Sequence, residues 1–165
     1  MAEPTSTAST LTVTMPSDRE IVMTRVFDAL RRLVFEAHSK PEHVAQWWGP
    51  RGTTLSVCEM DFRPGGAWRY VVRESNGKES PFKGVYREIV PPERIVWTFI
   101  YDVEPHSVHE TIETMIFTEQ DGKTTITTTS PYPSREVRDG VAASGMEEGA
   151  RETYDRLAEH LESMK

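Results

Sequence analysis

The central part of the chain, residues 53–130, is a series of strand-like segments separated by short turns, and this arrangement constrains the fold most. Apolar and polar residues alternate within the segments, as at Trp68, Tyr70 and Val72. Alternation with a period of two is typical of strands that bury one face. Because short turns rather than helices separate the segments, they predict an antiparallel meander.

An amphipathic segment follows the strands and predicts one long C-terminal helix over about residues 134–164, with Ser134 as its N-cap. Apolar residues recur on one face of this segment from Val137 to Leu161, so the helix has to bury that face on the concave side of the sheet. Two shorter helices are predicted before the meander. One has a stripe of Leu30, Leu33, Val34 and Ala37, and the other begins near Pro41 and carries Val44, Ala45 and Trp48 toward the core.

This order of elements predicts an α+β helix-grip fold. A curved antiparallel sheet of about six to seven strands would wrap around the long C-terminal helix, with two short helices after the first strand. The two strand-like segments at residues 11–15 and 21–27 are compatible with a single bent strand. Residues 11–165 are expected to form one domain, and residues 1–10, rich in Ala, Ser and Thr, a flexible tail.

Composition excludes several classes of function. The formal net charge of -7 disfavours binding to nucleic acid or to an anionic membrane. No apolar run approaches the roughly 20 residues that span a bilayer, so membrane insertion is not expected. Cys58 is the only cysteine, which rules out an intramolecular disulfide and fits a cytoplasmic protein. No P-loop or dinucleotide fingerprint is present, and no cofactor is expected.

Several short motifs occur in a fixed order along residues 18–161, and together they are far more specific than any one alone. They are Arg25-x-Phe27-x-Ala29, Leu33-Val34-Phe35-Glu36-Ala37, Trp47-Trp48-Gly49-Pro50, Arg63-Pro64-Gly65-Gly66-x-Trp68, Gly84-x-Tyr86-x-Glu88-Ile89 and Pro91-Pro92-Glu93-Arg94. In this order they resemble the START-like superfamily, also called SRPBCC or Bet v 1-like. Within it, the chain is most similar to the branch of activators of the Hsp90 ATPase.

The resemblance implies a helix-grip fold and a role in small-molecule binding. START-like relatives bind lipids, sterols, polyketides or hormones under the long helix, and some are polyketide cyclases or dehydratases. We therefore expect binding of a small hydrophobic or aromatic molecule, with a cyclase or dehydratase as the alternative. The branch name also implies a co-chaperone module, but a chain of this length is expected to lack a separate chaperone-binding domain. A homodimer is left open.

The candidate cavity-lining residues are the inward-facing aromatic residues of the sheet and their expected neighbours. A filled core would use the same aromatic rings, but buried tyrosine hydroxyls need partners and suit a pocket. Gly145 and Gly149 would leave a smooth patch on the helix for a ligand, or else mark close packing or a kink. The lining set is Trp48, Trp68, Tyr70, Phe82, Tyr86, Trp97, Phe99, Tyr101, His109, Met146 and Gly149.

Two further features leave alternatives open. The Trp47-Trp48 pair could cap a cavity mouth or form a wedge between helix and sheet, and the wedge is favoured. His106 and His109 are too few for a metal site, and His109 becomes a general acid or base only if it faces inward. Glu110 and Glu113 lie on opposite strand faces, so at most one can join it. No catalytic residue and no metal site is predicted.

Overall fold

The structure is a computed structural model that describes residues 11–165. The tail predicted for residues 1–10 lies outside this range. The strands are Thr12–Thr14 (β1), Glu20–Phe27 (β2), Thr54–Met60 (β3), Ala67–Arg73 (β4), Glu79–Val90 (β5), Arg94–Tyr101 (β6), Thr111–Gln120 (β7) and Lys123–Pro131 (β8). The α-helices are Arg31–Ala37 (α1), Pro41–Trp47 (α2), Arg135–Ala142 (α3) and Met146–Met164 (α4), and a short 3-10 helix covers His106–Val108.

Within residues 11–165 the strands form one antiparallel sheet of eight, in the order β1-β2-β8-β7-β6-β5-β4-β3. Strands β3 to β8 are the predicted meander, and the α+β helix-grip prediction is confirmed. The strand count is slightly higher than the six or seven predicted. The extra strand arises because the chain reverses after β1, which pairs antiparallel with β2 instead of continuing into it as one bent strand.

The curvature of the sheet has two local sources. The pairing register shifts between Leu55 and Val57 in β3 and between Tyr86 and Glu88 in β5, and such bulges bend a strand and increase its twist.

At Gly84, an added Cβ would lie 1.8 Å from the Thr98 carbonyl oxygen and 2.6 Å from the indole nitrogen of Trp68. Gly84 therefore lets the Trp68 ring lie against the bare backbone of β5.

Helix α2 directs the two neighbouring tryptophans into different places. The helix ends at Trp47, whose ring is buried and donates a hydrogen bond from Nε1 to the Ala37 carbonyl at 3.0 Å. Trp48 is already extended, with ψ of 125°, and is only partly buried. Trp48, which was expected to turn toward the core, packs against the edge of the core. Gly49, with φ of 109°, turns the chain there, and Trp47 takes the core position.

The predicted helix over residues 134–164 is divided into two. Ser134 caps α3 as predicted, since its Oγ accepts a hydrogen bond from the Val137 amide at 3.2 Å. Helix α3 ends at Ala142, and α4 begins after Gly145, which has φ of 86°. That left-handed conformation is costly for residues with a Cβ. Gly145 therefore lies at the break between α3 and α4 and does not belong to a smooth patch on one helix. The long C-terminal helix is therefore α4 alone.

The hydrophobic core fills only one end of the space between helices and sheet. The core residues at this end are each at most 2% exposed. They are Phe27 of β2, Val34 of α1, Val44 of α2, and Leu157 and Leu161 near the end of α4. Helix α3 and the first turns of α4 cover the other end, where side chains leave a cavity. In the described part of the chain, no helix is long and apolar enough to cross a membrane.

Candidate ligand-binding cavity

The cavity lies between the concave face of the sheet and helices α3 and α4. It has a volume of about 1640 Å³, with Val137 and Val141 of α3 and Met146, Gly149 and Thr153 of α4 in its lining. Protein interiors are close-packed, with few voids larger than a water molecule, and ligand pockets are usually about 300–1,000 Å³. The space is therefore far too large to be a packing defect and has room for an organic molecule.

All but one of the residues predicted to line a cavity are brought together around this space. They are Trp48, Tyr70, Phe82, Tyr86, Trp97, Phe99, Tyr101, His109, Met146 and Gly149. Trp68, the exception, is not brought to the cavity surface by the structure. Its ring stacks on Trp97 with centroids 4.2 Å apart, and its Nε1 donates to the Thr98 carbonyl at 3.1 Å. Trp68 shares the strand face of Tyr70, but its neighbours cover it.

One wall of the cavity is a connected group of aromatic rings. Trp48 meets Tyr70 and Phe82 edge-on, with centroids 5.0 and 5.3 Å apart, and Phe82 stacks on Tyr101 at 5.2 Å. Trp47 borders the space too, although it is only 2% exposed. Trp48 belongs to the cavity wall, whereas Trp47 packs against the end of α1 through Ala37 and His38. Such pairs each contribute about 0.5–1.5 kcal/mol beyond burial, which favours a pre-formed apolar surface.

Polar groups cross the cavity floor in a single row on β5 to β8. Tyr86 pairs with Trp97, and Trp97 pairs with Glu113, in the register of the sheet. The Trp97 Nε1 donates to Glu113 Oε1 at 2.9 Å, and Ser130 Oγ donates to Glu113 Oε2 at 2.9 Å. Because adjacent strands hold these four side chains, the sheet itself fixes the positions of the polar atoms.

Glu113 is an ionisable group held inside the protein at the cavity. Protein surrounds its carboxyl group, and the accessible part of the residue faces the cavity. Burial raises its pKa, and the hydrogen bonds from Trp97 and Ser130 act in the opposite direction. A carboxyl group with a raised pKa inside a pocket is typical of binding and catalytic sites.

The sequence did not identify Glu113 as a site residue, although part of the signal was present. Glu113 shares its strand phase with Met115 and Phe117, both of which are buried, so an inward orientation could have been inferred. Its partner Ser130 lies on β8, and that contact depends on the pairing of β7 with β8. Alternation along one strand cannot supply this pairing.

Five tyrosines belong to the lining, and they are Tyr70, Tyr86, Tyr101, Tyr132 and Tyr154. The Tyr86 hydroxyl is buried and has no hydrogen-bond partner within residues 11–165. Burial is the main cause of the raised pKa values of Tyr70 and Tyr86. The two hydroxyl groups influence each other's pKa, but they form no hydrogen bond of acceptable geometry. Burial, followed by the charge of Glu113, raises the pKa of Tyr132 to about 12.

The histidines at the cavity mouth do not form an inward acid–base pair. His109 and His106 are both exposed, and the His106 ring stacks on Tyr101 with centroids 5.5 Å apart. The condition that would make His109 a general acid or base is therefore not met. Within residues 11–165, no three His, Cys, Asp or Glu side chains form a group suited to a metal ion.

Comparisons with known structures agree on the fold. A crystal structure of a Rhodobacter sphaeroides protein is 25% identical, covers 94% of this chain and 99% of its own, and has a TM-score of 0.86. A Nitrosomonas europaea protein is 22% identical, with coverage of 91% and 98% and a TM-score of 0.80. An AHSA1 protein from Silicibacter pomeroyi is 21% identical, with coverage of 88% and 99% and a TM-score of 0.72.

A family model gives the more specific assignment. No curated protein matches the chain. The model described as "Activator of Hsp90 ATPase homolog 1-like protein" matches residues 28–162, which includes both short helices, six strands and nearly all of α4. By this match, and in agreement with the shared fold, the chain belongs to the family of Activator of Hsp90 ATPase homolog 1-like proteins.

Proposed function

We propose that the protein binds a small apolar or aromatic molecule in the cavity beneath α3 and α4. The volume of about 1640 Å³ and the aromatic wall support binding rather than a purely structural role. The observation that carries the proposal is the cavity itself, whose lining brings the rings of Trp48, Phe82 and Tyr101 together on one wall. A concave, mostly apolar site with a few polar groups is typical of small-molecule binding.

Gly149 offers a direct way to test the proposal. It lies in the cavity lining on α4, and an added Cβ would meet no atom within 4 Å. Gly149→Phe should therefore occupy ligand space, whereas Gly149→Ala adds one methyl group and serves as the matched control. The probe is N-phenyl-1-naphthylamine, an uncharged apolar dye whose fluorescence rises in apolar surroundings.

We expect saturable dye binding to the wild type and to Gly149→Ala, and an affinity at least about tenfold lower for Gly149→Phe because the ring fills the site. Circular dichroism would show that both variants remain folded. The proposal fails if the wild type does not enhance the fluorescence of the dye, or if Gly149→Phe binds the dye as well as Gly149→Ala does.

A cyclase or dehydratase is the second candidate, and the proximity of Tyr132 to Glu113 favours it. Both residues line the cavity and Tyr132 is only partly buried, so its hydroxyl could polarise a substrate carbonyl while Glu113 moves a proton. A synthetic poly-β-keto thioester of N-acetylcysteamine is a suitable probe of cyclisation. Turnover that falls in Glu113→Gln would support catalysis, and a rate equal to that of buffer alone would exclude this reaction.

The chaperone partner is a prediction that rests on the family description. The proposed ligand binding does not require it. Measuring the ATPase rate of Hsp90 with an excess of the protein would test it separately, and an unchanged rate would argue against this role.

A further inference from the structure

Glu113 lines the cavity, and its buried carboxyl group has no cation in the described protein to neutralise it. Among the described residues no arginine, lysine or histidine forms an ion pair with Glu113. The buried Arg25 provides a contrast, because it is paired with Asp155 at 2.8 Å. Buried charges in proteins are normally paired, so Glu113 is a place where a positive charge from outside the chain would be stabilised.

The hydrogen bonds of Glu113 leave room for such a partner. Each of its two oxygens accepts one hydrogen bond, from Trp97 and Ser130 respectively. An ionised carboxylate can accept about four, so the group retains acceptor capacity on its cavity side. Burial without a cation raises the pKa of Glu113, and a bound cation would lower the pKa again.

The titratable groups around Glu113 do not provide the missing charge. Tyr132 and Tyr154 both respond to the charge of Glu113, and burial raises the pKa of each tyrosine. Tyr154 also responds to Arg25, whose charge is already matched by Asp155. The remaining neighbours, Trp97 and Ser130, are neutral donors.

The wider lining also favours a cation. Glu74 and Glu110 border the cavity together with Glu113. The guanidinium group of Arg51, at the same rim, is bound to Glu159. Burial lowers the pKa of His38 to about 4, so this histidine is neutral at pH 7. Together with the net charge of -7, this distribution attracts positively charged ligands.

We propose that the cavity selects an aromatic or apolar molecule that carries a protonated amine, with the ammonium group on the Glu113 carboxylate. Trp97 borders the same space and could hold the apolar part or contact the cation directly. This proposal rests on the proposed function, since it names the ligand class for that cavity.

Three naphthalene probes with the same ring separate charge from shape. They are 2-(1-naphthyl)ethylamine, 2-(1-naphthyl)ethanol and 3-(1-naphthyl)propanoate, each measured by displacement of N-phenyl-1-naphthylamine. We expect the amine to bind about tenfold more tightly than the alcohol, as one buried ion pair allows, and the acid to bind most weakly. Glu113→Gln should reduce the preference for the amine to less than about threefold, while the matched variant Glu59→Gln, at an exposed carboxyl group outside the lining, should keep it.

A pH titration of the wild type gives a second test that does not depend on a variant folding. The amine stays protonated below about pH 9, so its affinity should rise with pH as Glu113 ionises, while the affinity of the alcohol stays constant. Equal binding of amine and alcohol, or full selectivity in Glu113→Gln, overturns the proposal while leaving dye binding intact. Failure of the wild type to bind the dye or any of the probes overturns both this proposal and the proposed function.

Discussion

The substitution Tyr86→Phe should make the ligand-free protein more stable. The hydroxyl of Tyr86 is buried and has no partner within residues 11–165, while the ring itself packs on Phe62 with centroids 5.0 Å apart and near Trp97 at 6.2 Å. Removing the hydroxyl keeps those ring contacts and removes a desolvated polar atom. A buried unsatisfied group costs about 1–3 kcal/mol, so a gain of about 1–2 kcal/mol is expected once small losses of packing are allowed for.

Urea unfolding followed by tryptophan fluorescence measures this gain directly. For a chain of this length, each 1 kcal/mol corresponds to a rise in Tm of about 2–4 °C, which gives a second readout. Tyr101→Phe is the matched control, because Tyr101 is only partly buried and its hydroxyl can remain solvated. Its free energy of unfolding should change by no more than about 0.5 kcal/mol.

A destabilisation of Tyr86→Phe by about 1 kcal/mol or more would refute the reasoning. That result would mean that the hydroxyl has a hydrogen-bond partner in the folded protein. A stabilised variant would instead show that the hydroxyl lowers stability, which is common for groups kept for function.

Three further substitutions test the fold. Gly84→Ala should destabilise the protein by about 2 kcal/mol or more, because its Cβ would overlap the Thr98 carbonyl; normal stability in chemical denaturation would contradict that geometry. Gly145→Ala should cost about 1–2 kcal/mol in the same assay, since φ is 86° there, and a neutral effect would mean that α3 and α4 are continuous. Burial lowers the pKa of His38 to about 4 in the folded protein, below its ordinary 6.5. Its contribution to the free energy of unfolding is therefore fully present above pH 6.5, and about 3 kcal/mol is lost as the pH falls toward 4. His38→Phe should flatten the decline in stability over this window, and an unchanged slope would assign the decline to other groups.

Local patterns predicted the elements of this fold well, because each depends on residues close in sequence. Alternation placed Trp68 and Tyr70 on the buried face of β4, and helical spacing placed Leu157 and Leu161 in the core. The break at Gly145 was less predictable. A glycine in an amphipathic segment is compatible with a continuous helix, a kink or close packing, and the sequence pattern does not choose among them.

The cavity was predicted less completely, because its polar groups depend on pairing between strands. That Trp97 and Ser130 both donate to Glu113 follows from the register of β6, β7 and β8, which involves residues up to 17 positions apart. The exclusion of Trp68 from the lining has a similar origin. Its strand phase is the same as that of Tyr70, but the rings of Trp97, Tyr70 and Phe99 pack around it and remove it from the cavity surface.

The most direct test of ligand binding in the cavity is a two-dimensional NMR titration of the 15N-labelled protein with N-phenyl-1-naphthylamine. The indole N–H signals of Trp48 and Trp97 and the amide signal of Gly149 should shift together with one dissociation constant, because all three residues line the cavity. The amide of Gly122, in the turn between β7 and β8 and outside the lining, should not move. Shifts confined to exposed surface residues, with Trp97 and Gly149 unchanged at saturation, would contradict the account.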